Sequence, residues 1–182
     1  MTVEILEDPS ASDIQAFFKQ CSGRGYCNNV SAESIKFYWA VDERRGRFWI
    51  LRHRGVIVAM AGCHWIPEIH PTAFRIQFRG CEIPGTDVKK TLSKGQFNSS
   101  TFRELIPYQL SWIQEQGEYD IFLSVNLDNR NHRSMELLEK QGFLEFHKRG
   151  ELFHTLQTIW KFNVDHYNTV RSKVGTYACL KN

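Results

Sequence analysis

Two arginines and a glutamine alternate with bulky apolar residues in the segment Ala73–Gly80. Arg75, Gln77 and Arg79 would share one face of a strand, because side chains at alternate positions point the same way. Guanidinium groups bind carboxylates and phosphates through paired hydrogen bonds. The pattern predicts either a polar cleft for an acidic or phosphate-bearing molecule or an ordinary solvated sheet face.

Five cysteines offer thiol chemistry, at positions 21, 27, 63, 81 and 179. They form no Cys-x-x-Cys pair and have no histidine at zinc-ligand spacing nearby, so we expect no metal site. No histidine with an orienting partner can be assigned to Cys81, and we therefore do not expect nucleophilic catalysis by this thiol. The odd number predicts reduced thiols in a cytoplasmic protein.

A second group of basic residues is interleaved with aromatic side chains and comprises Arg44, Arg45, Arg47, Arg52, His53 and Arg54. Such a group can bind nucleic-acid phosphates. We rank this function last, because the arginines fall on a turn and two strand ends and match no recognition motif. The net charge of +3 is too small to indicate an anionic partner.

The composition predicts a folded chain with one main domain. Its 182 residues are 42% hydrophobic and 13% aromatic, which suffices for a core without disulfides or metals. The first residues lack the basic start and apolar stretch of a signal peptide, and no apolar run is long enough to cross a bilayer. We expect neither export nor a membrane span.

The elements that would position functional groups centre on the apolar run Ile121–Val125, which predicts a central strand covered on both faces. A polar loop and a short helix follow, with Leu137 and Leu138 in its apolar stripe and Gly142 at its end. The other periodicities predict strands at 3–7, 47–53, 56–63, 73–80, 143–148 and 156–163, and helices near 12–21, 31–46 and 101–117. We assign residues 1–163 to one domain and residues 164–182 to a C-terminal tail, either loose or in an oligomer contact.

The order Asn131-x-x-Ser134-x-x-Leu137-Leu138-x-x-x-Gly142-Phe143 resembles a segment of the GNAT superfamily of acyl-CoA N-acyltransferases, Asn-x-x-Ala/Ser-x-x-Leu-Tyr-x-x-x-Gly-Phe. The alternative is any short helix that packs on a sheet and ends at Gly-Phe. The element order β-α-α-β-β-β-α-β-α-β-β is also similar to the GNAT arrangement. The resemblance implies an α/β (α+β) fold with a mixed, mostly antiparallel sheet of six to seven strands, helices on both faces and splayed central parallel strands.

The resemblance also implies a site for the pyrophosphate of coenzyme A at the start of the helix after the fourth strand, where backbone N–H groups bind phosphate. The family pattern there is Gln/Arg-x-x-Gly-x-Gly/Ala. The matching residues are Gln96, Phe97, Asn98, Ser99, Ser100 and Thr101. Ser99 and Thr101 replace the glycines, and their hydroxyls can donate to phosphate oxygens. The alternative role of this segment is a well-capped helix start.

The reaction that the resemblance implies is direct attack of an amine on the thioester of acetyl-CoA. A backbone N–H between Cys81 and Ile83 would stabilise the oxyanion. Glu82 is our first candidate for the base that deprotonates the amine, ahead of the second candidates Glu68, His64 and His70. Each of these side chains could instead be an ordinary surface or strand-end residue.

The family's tyrosine, which protonates the departing thiolate, is replaced here by Leu138. Tyr108 and Ser124 are our candidates for that proton transfer, and core packing is the alternative role for Tyr108. Asn126 ends the central strand, where open α/β sheets bind ligands, so it could pair with pantetheine amides. Asn131 could reach the cofactor from its cap position. The alternative for both asparagines is turn and cap formation.

These observations predict a cytoplasmic N-acetyltransferase that uses acetyl-CoA and a primary amine of a small molecule or protein. The acceptor could be acidic, and the protein could be a homodimer. The alternative is a GNAT-like binding or scaffold protein without catalytic activity, which the two missing glycines and the missing tyrosine favour.

Overall fold

The computed structural model describes residues 2–8, 12–22, 46–53, 55–80, 100–127, 132–152 and 154–179. The chain divides into two compact units, an N-terminal unit of residues 1–119 and a C-terminal unit of residues 120–182. The helix expected from Ser31 lies outside the described residues, as does the turn-rich segment from Pro84 to Lys94.

The N-terminal unit combines an antiparallel sheet with two helices. Its elements are β1 Thr2–Ile5, α1 Ser12–Ser22, β2 Arg47–His53, β3 Val56–Trp65, β4 Ala73–Gly80 and α2 Ser100–Gln116. Each strand pairs antiparallel with the next along the chain. Gly55 joins β2 to β3 with a φ of +80°, a conformation that glycine adopts without strain. The predicted glycine hairpin is confirmed.

Both faces of β2 are covered, which explains its nearly unbroken apolar sequence. Phe48, Trp49, Ile50 and Leu51 are all buried. On one face, Trp112 of α2 packs edge-on against Trp49, with the ring centroids 6.3 Å apart. A strand that is buried on two faces cannot show polar alternation. The run of apolar residues is therefore the signature of its place inside the sheet.

An ion-pair network ties α1 to the edge of the sheet. Arg52 of β2 donates to Asp13 of α1 at 2.6 Å and to Glu4 of β1 at 2.9 Å. The two hydrogen bonds raise the pKa of the Arg52 guanidinium above its ordinary value. One side chain thereby connects three elements of the N-terminal unit.

The C-terminal unit contains three antiparallel strands and two helices. Its elements are β5 Asp120–Asn126, α3 His132–Lys140, β6 Leu144–Leu152, β7 Thr155–Phe162 and α4 Val164–Cys179. The pairing order is β5-β7-β6. Residues 121–124 of β5 are all buried, as predicted for a strand that is covered on both faces.

Helix α3 ends at the predicted Gly-Phe step. Gly142 has a φ of +83°, and the Phe143 N–H donates to the Leu138 carbonyl at 3.0 Å. A left-handed residue followed by a hydrogen bond back to the last turn is a common helix ending. The order in the sequence motif therefore has a local structural reason.

Residues 164–179 form helix α4, so the alternative of a loose tail is wrong for these residues, whereas the alternative of an oligomer contact stays a prediction. The side chain of Asn163 accepts a hydrogen bond from the His166 N–H at 2.9 Å and caps the helix. Two ring contacts fix the first turns, Phe143 with His166 and Phe162 with Tyr167. The hydrophobic residues of this segment show no clear helical period. The helix is stabilised instead by its Asn163 cap and by these two ring contacts, and a periodicity search cannot detect either of them.

The described residues thus form seven strands and four helices of a mostly antiparallel α+β protein. This agrees with the predicted fold class. The splay of the fourth and fifth strands stays a prediction, as does the boundary between a domain of residues 1–163 and a tail of residues 164–182.

Candidate active site

Most of the residues predicted to bind coenzyme A or to act on the thioester lie outside the described residues. These are Cys81, Glu82, Ile83, Gln96, Phe97, Asn98, Ser99 and Asn131. Their roles stay predictions. The described residues define the elements on either side of them in the sequence, and these elements are taken below one unit at a time.

Helix α2 begins at Ser100, and Thr101 is its second residue. The predicted pyrophosphate segment therefore runs directly into a helix start, which presents unpaired N–H groups and a partial positive charge. The first turn carries no acidic side chain that would oppose a phosphate. Tyr108, two turns further on, is 48% exposed, so core packing is not its role.

Gln109 is a buried polar side chain on the packed face of α2. Its Nε2 donates to the carbonyl of Gly62 in β3 at 2.7 Å and to that of Gln77 in β4 at 3.3 Å. Gly62 and Gln77 are partners across the two strands. Hydrogen bonds are directional, so this amide fixes the position of α2 along β3 and β4 more strictly than an apolar side chain could. The sequence placed Gln109 on the packed face but gave no sign of this contact.

The predicted polar face of β4 lies beside a buried histidine of β3. His64 is fully buried and is the cross-strand partner of Arg75. Arg75 and Gln77 are half-buried, and the Arg75 guanidinium donates to the Gln77 side chain at 3.3 Å. The opposite face carries the buried side chains Phe74 and Ile76, so the expected division into an apolar and a polar face is confirmed.

The two other base candidates of this unit are on its surface. Glu68 and His70 are exposed, and the His70 ring lies 2.8 Å from the Thr72 hydroxyl. Of the four base candidates, only His64 has a buried side chain among the described residues. Glu82 lies outside the described residues.

In the C-terminal unit, Ser124 and Asn126 lie on the same face of β5. Ser124 is buried, with 7% of its surface exposed, whereas Asn126 is exposed at the carboxyl end of the strand. The Asn126 side-chain oxygen accepts a hydrogen bond from the Thr155 hydroxyl at 3.3 Å. Leu138 is 2% exposed and packs in the core of the unit.

A histidine that the sequence did not single out joins α3 to β7. The Nε2 of His132 lies 2.8 Å from the Thr158 hydroxyl, and its Nδ1 lies 3.3 Å from the Glu136 carboxylate. The ring also packs edge-on against Trp160. Thr158 is only 1% exposed, so this histidine orients α3 on the sheet and is not placed to activate the hydroxyl for an external substrate.

Thiol and metal chemistry find no support among the described residues. Cys63 is a free, fully buried thiol, and burial raises its pKa well above the ordinary value. A protonated, inaccessible thiol is a poor nucleophile. No group of three or more His, Cys, Asp or Glu side chains in the described ranges is arranged to hold a metal ion.

Comparison with protein-family models and with curated protein sequences finds no match. Comparison with solved structures finds many that are similar over nearly their whole length. An aminoglycoside acetyltransferase in complex with coenzyme A and kanamycin matches with a TM-score of 0.62 and 11% identity, over 93% of this chain and 98% of that one. A GNAT-family protein from Desulfovibrio desulfuricans matches with a TM-score of 0.60 and 10% identity, over 90% and 99%.

The ribosomal-protein-S18-alanine N-acetyltransferase from Escherichia coli is a third similar structure, with a TM-score of 0.56 and 14% identity, over 88% of this chain and 92% of that one. None of the helices among the described residues is long and apolar enough to span a bilayer. These identities are too low to transfer a substrate, but the likeness covers both units. The chain therefore has the fold of the GNAT acetyltransferases.

Proposed function

We propose that this protein is an N-acetyltransferase that transfers the acetyl group of acetyl-CoA to a primary amine by direct attack. The observation that carries the proposal is the likeness of nearly the whole chain to acetyltransferase structures, one of which holds coenzyme A. Two local features support it. Helix α2 begins at Ser100, in the register of the predicted pyrophosphate segment, and β5 ends at the exposed Asn126.

The proposed reaction needs three kinds of group. The amine nitrogen bonds to the acetyl carbonyl carbon, and the carbon–sulfur bond breaks, so that its electron pair leaves with the thiolate. A base takes the proton that the amine loses, and an acid or water supplies one to the thiolate. Backbone N–H groups between Cys81 and Ile83 stabilise the negative oxygen of the intermediate. Glu82 is the base in this proposal.

Tyr108 is preferred to Ser124 as the proton donor to the thiolate. The Tyr108 side chain is 48% exposed, whereas Ser124 is 7% exposed and has less access to a departing group. Water fills the same role if neither side chain acts. Gln96 and Ser99 to Thr101 bind the pyrophosphate, and Asn126 and Asn131 bind the pantetheine arm.

The acceptor in this proposal is an acidic or phosphate-bearing primary amine, in a cytoplasmic setting. The half-buried Arg75 and Gln77 support it, because a guanidinium that is partly shielded from water binds an anion more strongly than an exposed one. Arg75 lies opposite the fully buried His64 in the neighbouring strand, so this part of the face is partly shielded from water.

Release of free thiol from acetyl-CoA, measured against a panel of primary amines, tests the proposal. Wild-type protein should release thiol only when an amine is present, and the acetylated amine should appear in equal amount by mass spectrometry. Glu82→Gln should lower kcat by about 10²- to 10⁴-fold, the usual contribution of a general base. Glu115→Gln, a change of the same kind at an exposed side chain of α2 with no proposed role, is the matched control and should leave kcat unchanged. Binding of acetyl-CoA without any amine-dependent release of thiol would refute the transferase.

The second candidate is a GNAT-like binding or scaffold protein that has lost acetyl transfer. Leu138 favours it, because a leucine packed at 2% exposure cannot donate the proton that the family's tyrosine supplies. A saturating ligand stabilises a folded protein by about 2.7 kcal/mol at a hundredfold excess over its Kd. A thermal shift with coenzyme A but no turnover would select this candidate.

A further inference from the structure

Gln109 connects helix α2 to the strands beneath it inside the N-terminal unit. The helix runs antiparallel to β4. Trp112 packs on Phe74 near the start of the strand, with the ring centroids 5.7 Å apart. Gln109 is nearer the start of the helix, and its Nε2 donates to the carbonyl of Gln77, nearer the end of the strand. From this contact, the start of α2 and the end of β4 therefore lie in the same direction.

The lengths of the two elements bring the start of α2 close to the end of β4. Helix α2 begins at Ser100, nine residues before Gln109, and β4 ends at Gly80, three residues after Gln77. A helix rises about 1.5 Å per residue and a strand about 3.4 Å, so these stretches measure about 13.5 Å and about 10 Å. Measured along the strand, the helix start is thus about one residue beyond the end of β4.

The surface of β3 under α2 offers little to hold the helix at this level. Ala61 is the cross-strand partner of Trp49, against which α2 packs, so Ala61 faces the helix. Ala59 and Cys63 lie at alternate positions on the same face, and all three side chains are small and buried. Packed elements keep their position through interdigitating side chains, which small residues provide poorly. The directional hydrogen bonds of Gln109 supply what this surface lacks.

Gln109 is not the side chain that stability alone favours at this position. It is fully buried, and its Oε1 has no hydrogen-bond partner among the residues that the structure describes. A buried acceptor without a partner lowers stability, whereas methionine or leucine fills a similar volume with no such oxygen. Residues that break a packing rule in this way are expected where function needs a fixed geometry.

We infer that Gln109 is a positioning residue for acetyl-CoA, because it holds the start of α2 level with the end of β4. The inference rests on the proposed function, in which the helix start binds the pyrophosphate and the end of β4 receives the thioester. Gln109 touches neither group and acts through the helix that it fixes. A displacement of α2 by one residue changes the separation of the two places by about 1.5 Å.

Calorimetric titration with two ligands tests the inference. Acetyl-CoA must reach from the start of α2 to the end of β4, whereas 3′-phospho-ADP lacks the pantetheine arm and needs only the helix start. Gln109→Met and Gln109→Leu should leave the affinity for 3′-phospho-ADP unchanged. Both should weaken acetyl-CoA by about three- to tenfold, the value of one neutral hydrogen bond that is no longer aligned. With an accepted amine, kcat should fall further, by about 10²-fold, because reaction is more sensitive to misplacement than binding is.

Ile113→Val is the matched control for packing. Ile113 lies one turn further along the same face of α2 and is 2% exposed. Loss of a buried methyl group should lower Tm by about 1–6 °C and leave the affinity for both ligands unchanged. Gln109→Met removes the unpaired oxygen together with the amide, so its Tm should be no lower than that of Ile113→Val. The two variants thus separate the position of the helix from the packing beneath it.

The outcomes distinguish this inference from the proposed function. If the wild type binds neither ligand, both fail. If the wild type binds both ligands but transfers acetyl to no amine, the proposed transfer fails and the two affinities still decide the role of Gln109. If Gln109→Met weakens both ligands equally or neither, the positioning role is refuted and the proposed transfer stands. Selective loss of acetyl-CoA affinity in both Gln109 variants, with Ile113→Val unchanged, supports the inference.

Discussion

Gly62 should be far less tolerant of alanine than other strand glycines, because it faces an aromatic ring. Gly62 of β3 is the cross-strand partner of Phe48 of β2. A Cβ at Gly62 would overlap the Phe48 ring: three ring atoms are its nearest neighbours, and even the Cζ atom is only 2.8 Å away. Phe48 is 1% exposed, so its ring has no open space to enter. The added methyl group must displace packed atoms.

Two opposing effects set the size of the change. Alanine lowers the conformational entropy of the unfolded chain, which stabilises the protein by about 0.4–1 kcal/mol where the backbone is compatible. Overpacking of a filled core typically costs about 1–3 kcal/mol. The cost of overpacking should exceed the entropic gain at Gly62, because the Phe48 ring is enclosed by the core and cannot move away from the added methyl group. We expect Gly62→Ala to lower the free energy of unfolding by about 1–2 kcal/mol, and Tm by about 2–8 °C for a chain of this length.

Urea unfolding followed by tryptophan fluorescence measures this change. Gly150→Ala is the matched control: a Cβ there meets nothing within 4 Å, so its free energy of unfolding should equal or slightly exceed that of the wild type. The double variant Phe48→Leu/Gly62→Ala should lose less stability than the two single changes added together, since the smaller side chain makes room for the methyl group. Equal stability of Gly62→Ala and Gly150→Ala would refute this reasoning.

Three further changes test other contacts. Asn163→Ala removes the cap of α4 and should lower the free energy of unfolding by about 1 kcal/mol, with faster amide exchange in 164–179; unchanged exchange would contradict the cap. The Cys63 thiol should resist alkylation in the native state. Above about pH 8.5 the unfolded thiol ionises while the folded one, whose pKa is raised, stays protonated. Stability should therefore fall with rising pH by less in Cys63→Ala than in the wild type, and parallel pH curves would refute this. Arg52→Met should cost under about 1 kcal/mol, since its partner Asp13 is partly exposed, and a loss that persists undiminished in high salt would contradict an ion-pair origin.

Local sequence patterns predicted the strands and most of the described helices. The apolar runs of β2 and β5 reflect burial on both faces, and the alternation in β4 reflects an apolar face opposite the half-buried Arg75 and Gln77. The end of α3 at Gly142 follows from a left-handed backbone that glycine permits. Each of these features depends on residues close together in the sequence, which is why the sequence alone contains the information.

The contacts that shape the candidate site depend on residues far apart in the sequence. Gln109 stood on the predicted packed face of α2, but its acceptor Gly62 is 47 positions away. Thr155 and Asn126 are separated by 29 positions. Hydrogen bonds of this kind form only after the strands have paired, so neither periodicity nor a short motif can indicate them. The sequence offered one indication of such a contact: Gln109 is a polar residue within the apolar stripe of α2, and a polar side chain on a packed face needs a hydrogen-bond partner.

The loss of the family's tyrosine does not by itself exclude acetyl transfer. Leu138 is packed in the core, so no proton can come from that position. The leaving group of the proposed reaction, however, is a thiolate, and because a thiol is a far stronger acid than an alcohol, this group departs from a tetrahedral intermediate more readily than an alkoxide. General acid catalysis typically contributes about 10²- to 10⁴-fold, so its absence slows the reaction without abolishing it. Binding of the thioester cannot be replaced in this way, so in the proposed function the predicted pyrophosphate segment is a more informative target for mutation than the position of the missing phenol.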